Sequence, residues 1–277
     1  MLKQRIATAL VLIPLVLWFV LYSSTILFDL VLAAVISIAA YEWAMLSGLS
    51  KISRYFYVLV NLLVIFLLWH FQSVLDFSLI IIGISIIWAG TTASLIVQKE
   101  PLIKVTAISY YSLVVGLIFL TVAWVSVSQI HAIAVYGPEL VLALLILIWV
   151  ADTSAYFTGR SLGHTKLSVH VSPGKTWEGV IGALVGSAIY GYFLASYQYF
   201  EDFSVNPLGL SLLCVVITFI SVGGDLFESK VKRQRGVKDS GNILPGHGGI
   251  YDRIDSLIAA APIFLLGLLV ISGEVRL

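Results

Sequence analysis

Residues 75–97 read LDFSLIIIGISIIWAGTTASLIV, and Asp76, near the beginning, is the single charged side chain in this run. A helix needs about 20 mostly apolar residues to cross the hydrocarbon core of a bilayer. Backbone N–H and C=O groups in lipid must be paired within the protein, and a helix pairs them within its own segment. The run therefore predicts a transmembrane helix, and runs of this kind decide the fold class.

The composition of the whole chain agrees with that prediction. Of the 277 residues, 60% are hydrophobic and 11% are charged, and the mean hydropathy is +1.02. Soluble proteins are about 45–50% apolar and about 25% charged. These values exclude a soluble domain, a disordered chain and a nucleic-acid binder. The single cysteine, Cys214, excludes a disulfide within the chain.

Nine apolar runs are long enough to span a membrane and predict an all-α fold, a polytopic bundle of about nine transmembrane helices. The predicted spans are residues 6–22, 26–46, 55–72, 75–97, 105–127, 139–158, 176–196, 206–228 and 250–273. Lys3 and Arg5 precede the first run, as in a signal peptide. No small-x-small cleavage pattern closes that run, so we interpret it as a span.

The basic residues predict the orientation of these spans. Of the 16 Lys and Arg residues, all except Arg276 fall on the side that carries the N-terminus. Cytoplasmic loops are enriched in Lys and Arg. The N-terminus and the two longer loops, residues 159–175 and 229–249, are therefore predicted in the cytoplasm, and the C-terminus outside.

Ionisable side chains gather at the cytoplasmic ends of the last four predicted spans. They are Asp152, Glu178, Asp225, Glu228, Asp252, Arg253 and Asp255. Ionisable groups at membrane depth are costly and are candidate functional groups by default. Glu42 also lies at an inner end, and we interpret it as a packing or interface group.

The spacing of these acids allows two interpretations. Asp225 and Glu228 are three residues apart, as are Asp252 and Asp255, so each pair shares a helix face. If spans eight and nine are neighbours, four carboxylates converge, and like charges in a poorly hydrated place repel. Either salt bridges to nearby basic residues neutralise them, or a hard divalent cation binds their oxygens.

The loop between these two pairs is basic at its beginning and rich in glycine at its end. Its basic residues are Lys230, Lys232, Arg233, Arg235 and Lys238, and its glycines are Gly236, Gly241, Gly246, Gly248 and Gly249. Basic residues beside a membrane can simply bind anionic lipid. Glycines that let backbone N–H groups approach a phosphate, together with nearby acids, favour a metal-bound polyphosphate instead.

The stretch 229–255 resembles the signature of the phosphatidate cytidylyltransferases, or CDP-diacylglycerol synthases. The matching residues are Ser229, Lys232, Arg233, Lys238, Asp239, Gly241, Pro245, His247, Gly248, Gly249, Asp252, Arg253 and Asp255. A second stretch agrees, through Asp152-Thr153, Ala155-Tyr156, Gly159-Arg160, Ser172-Pro173 and Lys175-Thr176-Trp177-Glu178-Gly179. The resemblance is dense over residues 150–260, whereas the first 140 residues match only as apolar spans.

This resemblance implies a reaction in which phosphatidic acid and CTP give CDP-diacylglycerol and pyrophosphate, with Mg²⁺ alone or with a second cation. It implies Asp225, Asp252 and Asp255 as metal ligands, with Asp152 or Asp239 as the alternative. The implied catalytic residues are Lys232, Arg233, Lys238, Asp239, His247 and Arg253. The implied substrate-binding residues are Ser229, Lys175, Arg160, Gly248 and Gly249.

Some of these roles stay open. Arg253 either holds a phosphate or pairs with a carboxylate, and His247 either donates to a phosphate or orders the loop. Ser229 either caps a turn or lines the site.

The expected organisation follows from the same resemblance. Residues 1–140 form a scaffold, and residues 141–277 carry the site, which faces the cytoplasm in a bacterial inner membrane. The expected partners are CTP, phosphatidic acid and the bilayer, without nucleic acid, and a homodimer is compatible with the sequence. The rival functions are a CTP-dependent polyprenol kinase and an ion or metabolite transporter, although a transporter would place its charges near the bilayer midplane.

Overall fold

The computed structural model describes residues 2–72, 74–98, 100–196, 206–243, 246 and 248–272. Within these residues the fold consists of nine helices and one short β-hairpin. The helices are α1 Leu2–Tyr22, α2 Thr25–Leu46, α3 Lys51–His70, α4 Ser78–Ile96, α5 Tyr110–His131, α6 Gly137–Leu162, α7 Trp177–Ser196, α8 Pro207–Arg235 and α9 Tyr251–Ser272. The strands are β1 Lys166–Ser168 and β2 Ser172–Thr176, which pair antiparallel.

The predicted all-α membrane architecture is confirmed. Eight of the helices, α2 to α9, are long and apolar enough to cross a membrane. In α1, the part whose side chains the structure describes is a shorter apolar helix, Leu10–Tyr22. Serines mark several helix beginnings: the hydroxyls of Ser24, Ser50 and Ser109 accept a backbone N–H from the first turn of α2, α3 and α5. Such caps satisfy donors that have no partner within the helix.

Two of the predicted loops are wrong in part. The first seven residues of the predicted loop 229–249 continue α8 as far as Arg235. Lys, Arg and Gln are good helix formers, so the helix outlasts the apolar run and stops at Gly236, whose φ is +71°. In the predicted loop 159–175, α6 continues to Leu162 and the hairpin follows.

The chain divides into two compact units. Unit 1 comprises Met1–Phe77, Ile103–Leu142 and Val231–Asp255, and unit 2 comprises Ser78–Leu102, Ala143–Lys230 and Ser256–Leu277. Neither unit is continuous in sequence. The functional division at residue 140 into a scaffold and a catalytic half stays a prediction.

In unit 1, α2 packs against both α3 and α5. Trp43 of α2 lies on Gly116 of α5, where a Cβ would collide with the indole ring. Its Nε1 donates to the carbonyl of Ser112 at 2.8 Å. The same ring stacks on Tyr251, with centroids 5.0 Å apart. The inner end of α2 is therefore fixed to α5 and to the first residue of α9.

In unit 2, α6 and α7 approach closely through small residues. A Cβ on Gly182 would collide with Thr158, and one on Gly186 with Ser154. The small residues of α7 therefore make a packing contact, as small-xxx-small spacing permits in membrane helices. The hairpin is held by an apolar core of buried residues: Leu95, Leu167, Val171, Val180 and Leu226.

The predicted orientation can be tested with two matched cysteine variants. Val74 lies between α3 and α4 and Ile103 between α4 and α5, and each is 81% exposed. In a Cys214→Ala background, an impermeant maleimide added to intact cells should label Val74→Cys. It should label Ile103→Cys only after permeabilisation, because the positive-inside rule places the loop with Lys104 in the cytoplasm. The opposite labelling pattern would invert the topology.

Candidate active site

A cavity of about 430 Å³ lies within unit 2 among α6, β2, α7 and α8. Its charged lining residues are Asp152, Arg160, Lys175 and Asp225. Its other polar lining residues include Tyr156, Thr176, Ser221 and Ser256. A concave site with few, convergent polar groups is the usual form of a small-molecule site.

The β-hairpin brings Lys175 to this cavity. Leu167 and Val171 anchor the hairpin in the apolar core, and the strands lead directly into α7. Thr176 caps α7 by accepting the N–H of Gly179 at 3.2 Å. Glu178 turns back to the hairpin, where its carboxylate accepts the N–H of Thr165 at 3.1 and 3.2 Å. Lys175 therefore lies on a strand that is fixed at both its ends.

Two glycines make room where α6 meets α7. A Cβ on Gly179 would lie 3.1 Å from the carbonyl oxygen of Ala155, and one on Gly159 would lie 3.1 Å from Thr176 Oγ1, both closer than an ordinary contact. Both Gly159 and Gly179 line the cavity. In the second stretch that resembles the family, residues 152–179, the glycines thus allow close packing, whereas charged residues of the same stretch line the cavity.

The charged groups of the cavity are paired but remain accessible. Lys175 Nζ lies 2.8 Å from Asp225 Oδ2, with 27% and 36% of the two side chains exposed. Ser229 donates to Asp225 Oδ1 at 3.2 Å. Arg160 donates to the hydroxyl of Tyr156 at 3.0 Å. Half-exposed pairs of this kind can exchange partners for an anionic substrate at small cost.

The donor set of the cavity fits Mg²⁺. Asp152 and Asp225 both line it, together with the hydroxyls of Ser221 and Ser256. Magnesium prefers oxygen ligands and is commonly held by one or two carboxylates plus substrate phosphates and water. Among the described residues, no group of three or more His, Cys, Asp or Glu side chains has metal-binding geometry. A metal here would therefore depend on substrate oxygens for part of its coordination.

The predicted metal ligands are divided between the units. Asp225 belongs to unit 2, whereas Asp252 and Asp255 belong to unit 1. Asp255 is partly buried in the first turns of α9. The predicted joint ligation by these three acids stays a prediction.

In unit 1, Asp252 organises the loop that precedes it. Its Oδ1 lies 2.6 Å from Lys232 Nζ, and 10% of the lysine side chain and 6% of the aspartate side chain are exposed. Its Oδ2 accepts the N–H of Ser240 at 2.9 Å and the N–H of Gly249 at 2.8 Å. Separating a buried ion pair by removing one partner typically costs about 3–5 kcal/mol.

Glu42, which the sequence analysis interpreted as a packing or interface group, accepts hydrogen bonds from this loop. It is 2% exposed. Its Oε1 accepts the N–H of Ile250 at 3.1 Å, and its Oε2 accepts the N–H of Tyr251 at 2.8 Å and the hydroxyl of Ser240 at 3.0 Å. These backbone donors lie at the beginning of α9, where intrahelical acceptors are lacking. The signal that could have found it is a lone acid at the inner end of an apolar helix.

The glycines of the loop have a packing reason in this structure. A Cβ on Gly241 or Gly249 would collide with the Glu42 carboxylate, and Gly248 has a φ of +82°. The N–H of Gly249 is already bonded to Asp252. The N–H of Gly249, one of those that the sequence pattern assigned to a phosphate, is therefore bonded to a carboxylate of the protein itself.

The remaining predicted residues differ in their surroundings. Arg233 donates to the carbonyl of Val237 at 3.2 Å. Lys238, Asp239 and Arg253 are exposed. His247 lies outside the described residues.

Arg235, the last residue of α8, has a structural role. It donates to the carbonyls of Val105 and Ala107, both at 2.8 Å.

Comparison with known proteins decides the family. The model of the cytidylyltransferase family matches residues 3–271. The chain belongs to the cytidylyltransferase family. The match extends through the first 140 residues, where sequence patterns alone showed only apolar spans.

Curated relatives match over nearly their whole length and carry the name phosphatidate cytidylyltransferase. The chain is 38% identical over 271 residues to that of Pseudomonas aeruginosa, covering 95% of this chain and 96% of the relative. It is 36% identical over 295 residues to that of Haemophilus influenzae, covering 95% and 97%. It is 36% identical over 281 residues to that of Thermotoga maritima, covering 99% of both.

The packing role of the loop glycines predicts a large difference between two Gly→Ala variants of this cytidylyltransferase. Gly249→Ala should lower the free energy of unfolding by about 1–3 kcal/mol, as overpacking does, because its Cβ collides with Glu42 and Ser240. Gly83→Ala is the control, because its Cβ meets nothing within 4 Å. Thermal unfolding of the purified proteins measures both, and equal melting temperatures would contradict this packing role.

Proposed function

We propose that this chain transfers the cytidylyl group of CTP to phosphatidic acid, forming CDP-diacylglycerol and pyrophosphate. The observation that carries this proposal is the cavity in unit 2, which two carboxylates, a lysine and an arginine line together. The chain-length match to proteins named for this activity supports it. The rival CTP-dependent kinase and the transporter have no comparable support.

The chemistry demands positioning and charge neutralisation. A phosphate oxygen of phosphatidic acid attacks the α-phosphorus of CTP, a P–O bond forms, and the bond to the β-phosphate breaks as pyrophosphate leaves. That oxygen is largely ionised near neutral pH, so a strong general base is unnecessary. The enzyme therefore accelerates the reaction mainly by holding the two anionic substrates together and by stabilising the negative charge of the transition state.

The cavity residues suit these tasks. Lys175 neutralises phosphate oxygens when it exchanges Asp225 for substrate, and the planar guanidinium of Arg160 offers a fork of donors to a second phosphate. Asp152 and Asp225 would hold Mg²⁺, which supplies Lewis-acid stabilisation of the phosphoryl oxygens. We propose this pair as the primary metal ligands, because both line one cavity and the pair of Asp225 with Lys175 is partly exposed, whereas the pair of Asp252 with Lys232 is buried.

In the loop of unit 1, Lys232 is paired within the unit, whereas Lys238 and Arg253 are exposed. The family resemblance implies that Lys238 neutralises the triphosphate. The asymmetry of basic residues supports a site that faces the cytoplasm, where CTP is found. The bacterial relatives support an inner-membrane location.

Labelled nucleotide distinguishes the proposed reaction from its rival. With phosphatidic acid and purified protein, label from [α-³²P]CTP should enter the lipid product and label from [γ-³²P]CTP should be released in pyrophosphate. A CTP-dependent lipid kinase would transfer the γ-phosphate instead. Transfer of γ-label to any lipid, without α-label, would overturn the proposed function.

Asp→Asn variants test the proposed metal ligands. Asp152→Asn and Asp225→Asn should each lower kcat/KM by about 10²-fold or more, because metal neutralisation supplies several kcal/mol to such transition states. Raising Mg²⁺ should restore part of the rate where affinity was lost.

The matched control is Asp29→Asn, a buried acid of α2 outside the cavity. Its activity and Mg²⁺ dependence should stay near those of the unaltered protein. Normal Mg²⁺ dependence in both cavity variants would remove these acids from the metal site.

A further inference from the structure

The carboxylate of Glu42 joins two parts of the loop between α8 and α9. Ser240 follows Lys238 and Asp239 and donates its hydroxyl to Glu42 Oε2 at 3.0 Å. Ile250 and Tyr251 close the loop, and both donate backbone N–H groups to the same carboxylate. One side chain from α2 thus holds the beginning and the end of the loop together.

The surroundings of Glu42 leave it little freedom. Ser240 has no exposed surface, and its hydroxyl lies 3.0 Å from both Glu42 Oε2 and Asp252 Oδ2. The N–H of Asp252 donates to the same hydroxyl oxygen at 3.3 Å. Gly241 and Gly249 approach the carboxylate so closely that a Cβ on either would collide with it. A displaced Glu42 would therefore leave buried donors without an acceptor.

The neighbouring residue reinforces the same contact. Trp43 stacks on Tyr251, with ring centroids 5.0 Å apart and planes inclined by 22°. Its own Nε1 is bonded to the carbonyl of Ser112. Glu42 thus binds the backbone of Tyr251, and Trp43 packs on its ring. These two contacts attach the end of the loop to the interior of unit 1.

We infer that Glu42 is a positioning residue for nucleotide binding: it sets the place of Lys238 and Asp239 through Ser240. This inference rests on the proposed function, because it assumes that Lys238 meets the triphosphate. It adds a residue from the half of the chain that the sequence analysis assigned to the scaffold. Glu42 does not contact the substrate itself; its effect passes through the loop.

Glu42→Gln is the first test variant. The glutamine amide replaces one acceptor oxygen with an N–H₂ group, which would face a donor and leave it unpaired. The KM for CTP should rise about tenfold, the size expected for losing one hydrogen bond to a buried charged group. The KM for phosphatidic acid should stay unchanged. Ser240→Ala should shift the KM for CTP in the same direction and by less.

A double-variant cycle separates positioning from loss of stability. If Glu42 acts through the loop, Glu42→Gln should have a much smaller effect on the KM for CTP in a Lys238→Ala background. Additive effects would overturn the inference, because general destabilisation does not depend on Lys238. Asp29→Asn, which alters another buried acid of α2, is the control and should leave the KM for CTP unchanged.

The outcomes distinguish this inference from the proposed function. An unaltered protein without α-label transfer overturns the proposed function. An active unaltered protein whose Glu42→Gln and Ser240→Ala variants keep a normal KM for CTP overturns the inference alone. If Glu42→Gln does not accumulate in the membrane, Ser240→Ala combined with Lys238→Ala decides the question by the same criterion of coupling.

Discussion

Buried charge at the ends of membrane helices is the constraint on which the loop of unit 1 depends. Lys232 and Asp252 form an ion pair at 2.6 Å with little exposure of either side chain. Such a pair is tolerable only when its remaining oxygens are also bonded. Asp252 meets that condition through Ser240 and Gly249. The ion pair of Asp252 is therefore stable only when the loop brings Ser240 and Gly249 to it. Glu42 of α2 also binds Ser240 and so helps to hold the loop in that conformation.

The basic residues of this region divide between structure and substrate. Lys232 is buried in its ion pair and Arg235 is bonded to three backbone carbonyls, so neither presents an unoccupied cation to a nucleotide. Lys238 and Arg253 are exposed. In unit 2 the corresponding cation is Lys175, whose pair with Asp225 is open to solvent. Burial, rather than residue type, separates the groups that hold the fold from the groups that can meet an anion.

Much of the architecture was predictable because membrane helices are encoded locally. Apolar runs of about 20 residues located all nine helices, since lipid requires each segment to pair its own backbone. The errors lie where helices leave the apolar region. Residues 229–235 stay helical by propensity, and residues 166–176 form a hairpin because Leu167 and Val171 have an apolar core to enter. Neither feature is visible in hydropathy.

By itself, the sequence determined the fold class, the chemical character of the site and the family resemblance, because spans and signature residues are contiguous patterns. The tertiary structure alone decided which members of the signature are structural and which stay accessible. It placed Asp152 and Asp225 in the lining of one cavity and brought Glu42 to Ser240, a residue 198 positions away. The physical reason is that hydrogen bonding and burial depend on neighbours from distant parts of the chain, and a buried carboxylate is stable only where folding assembles its donors.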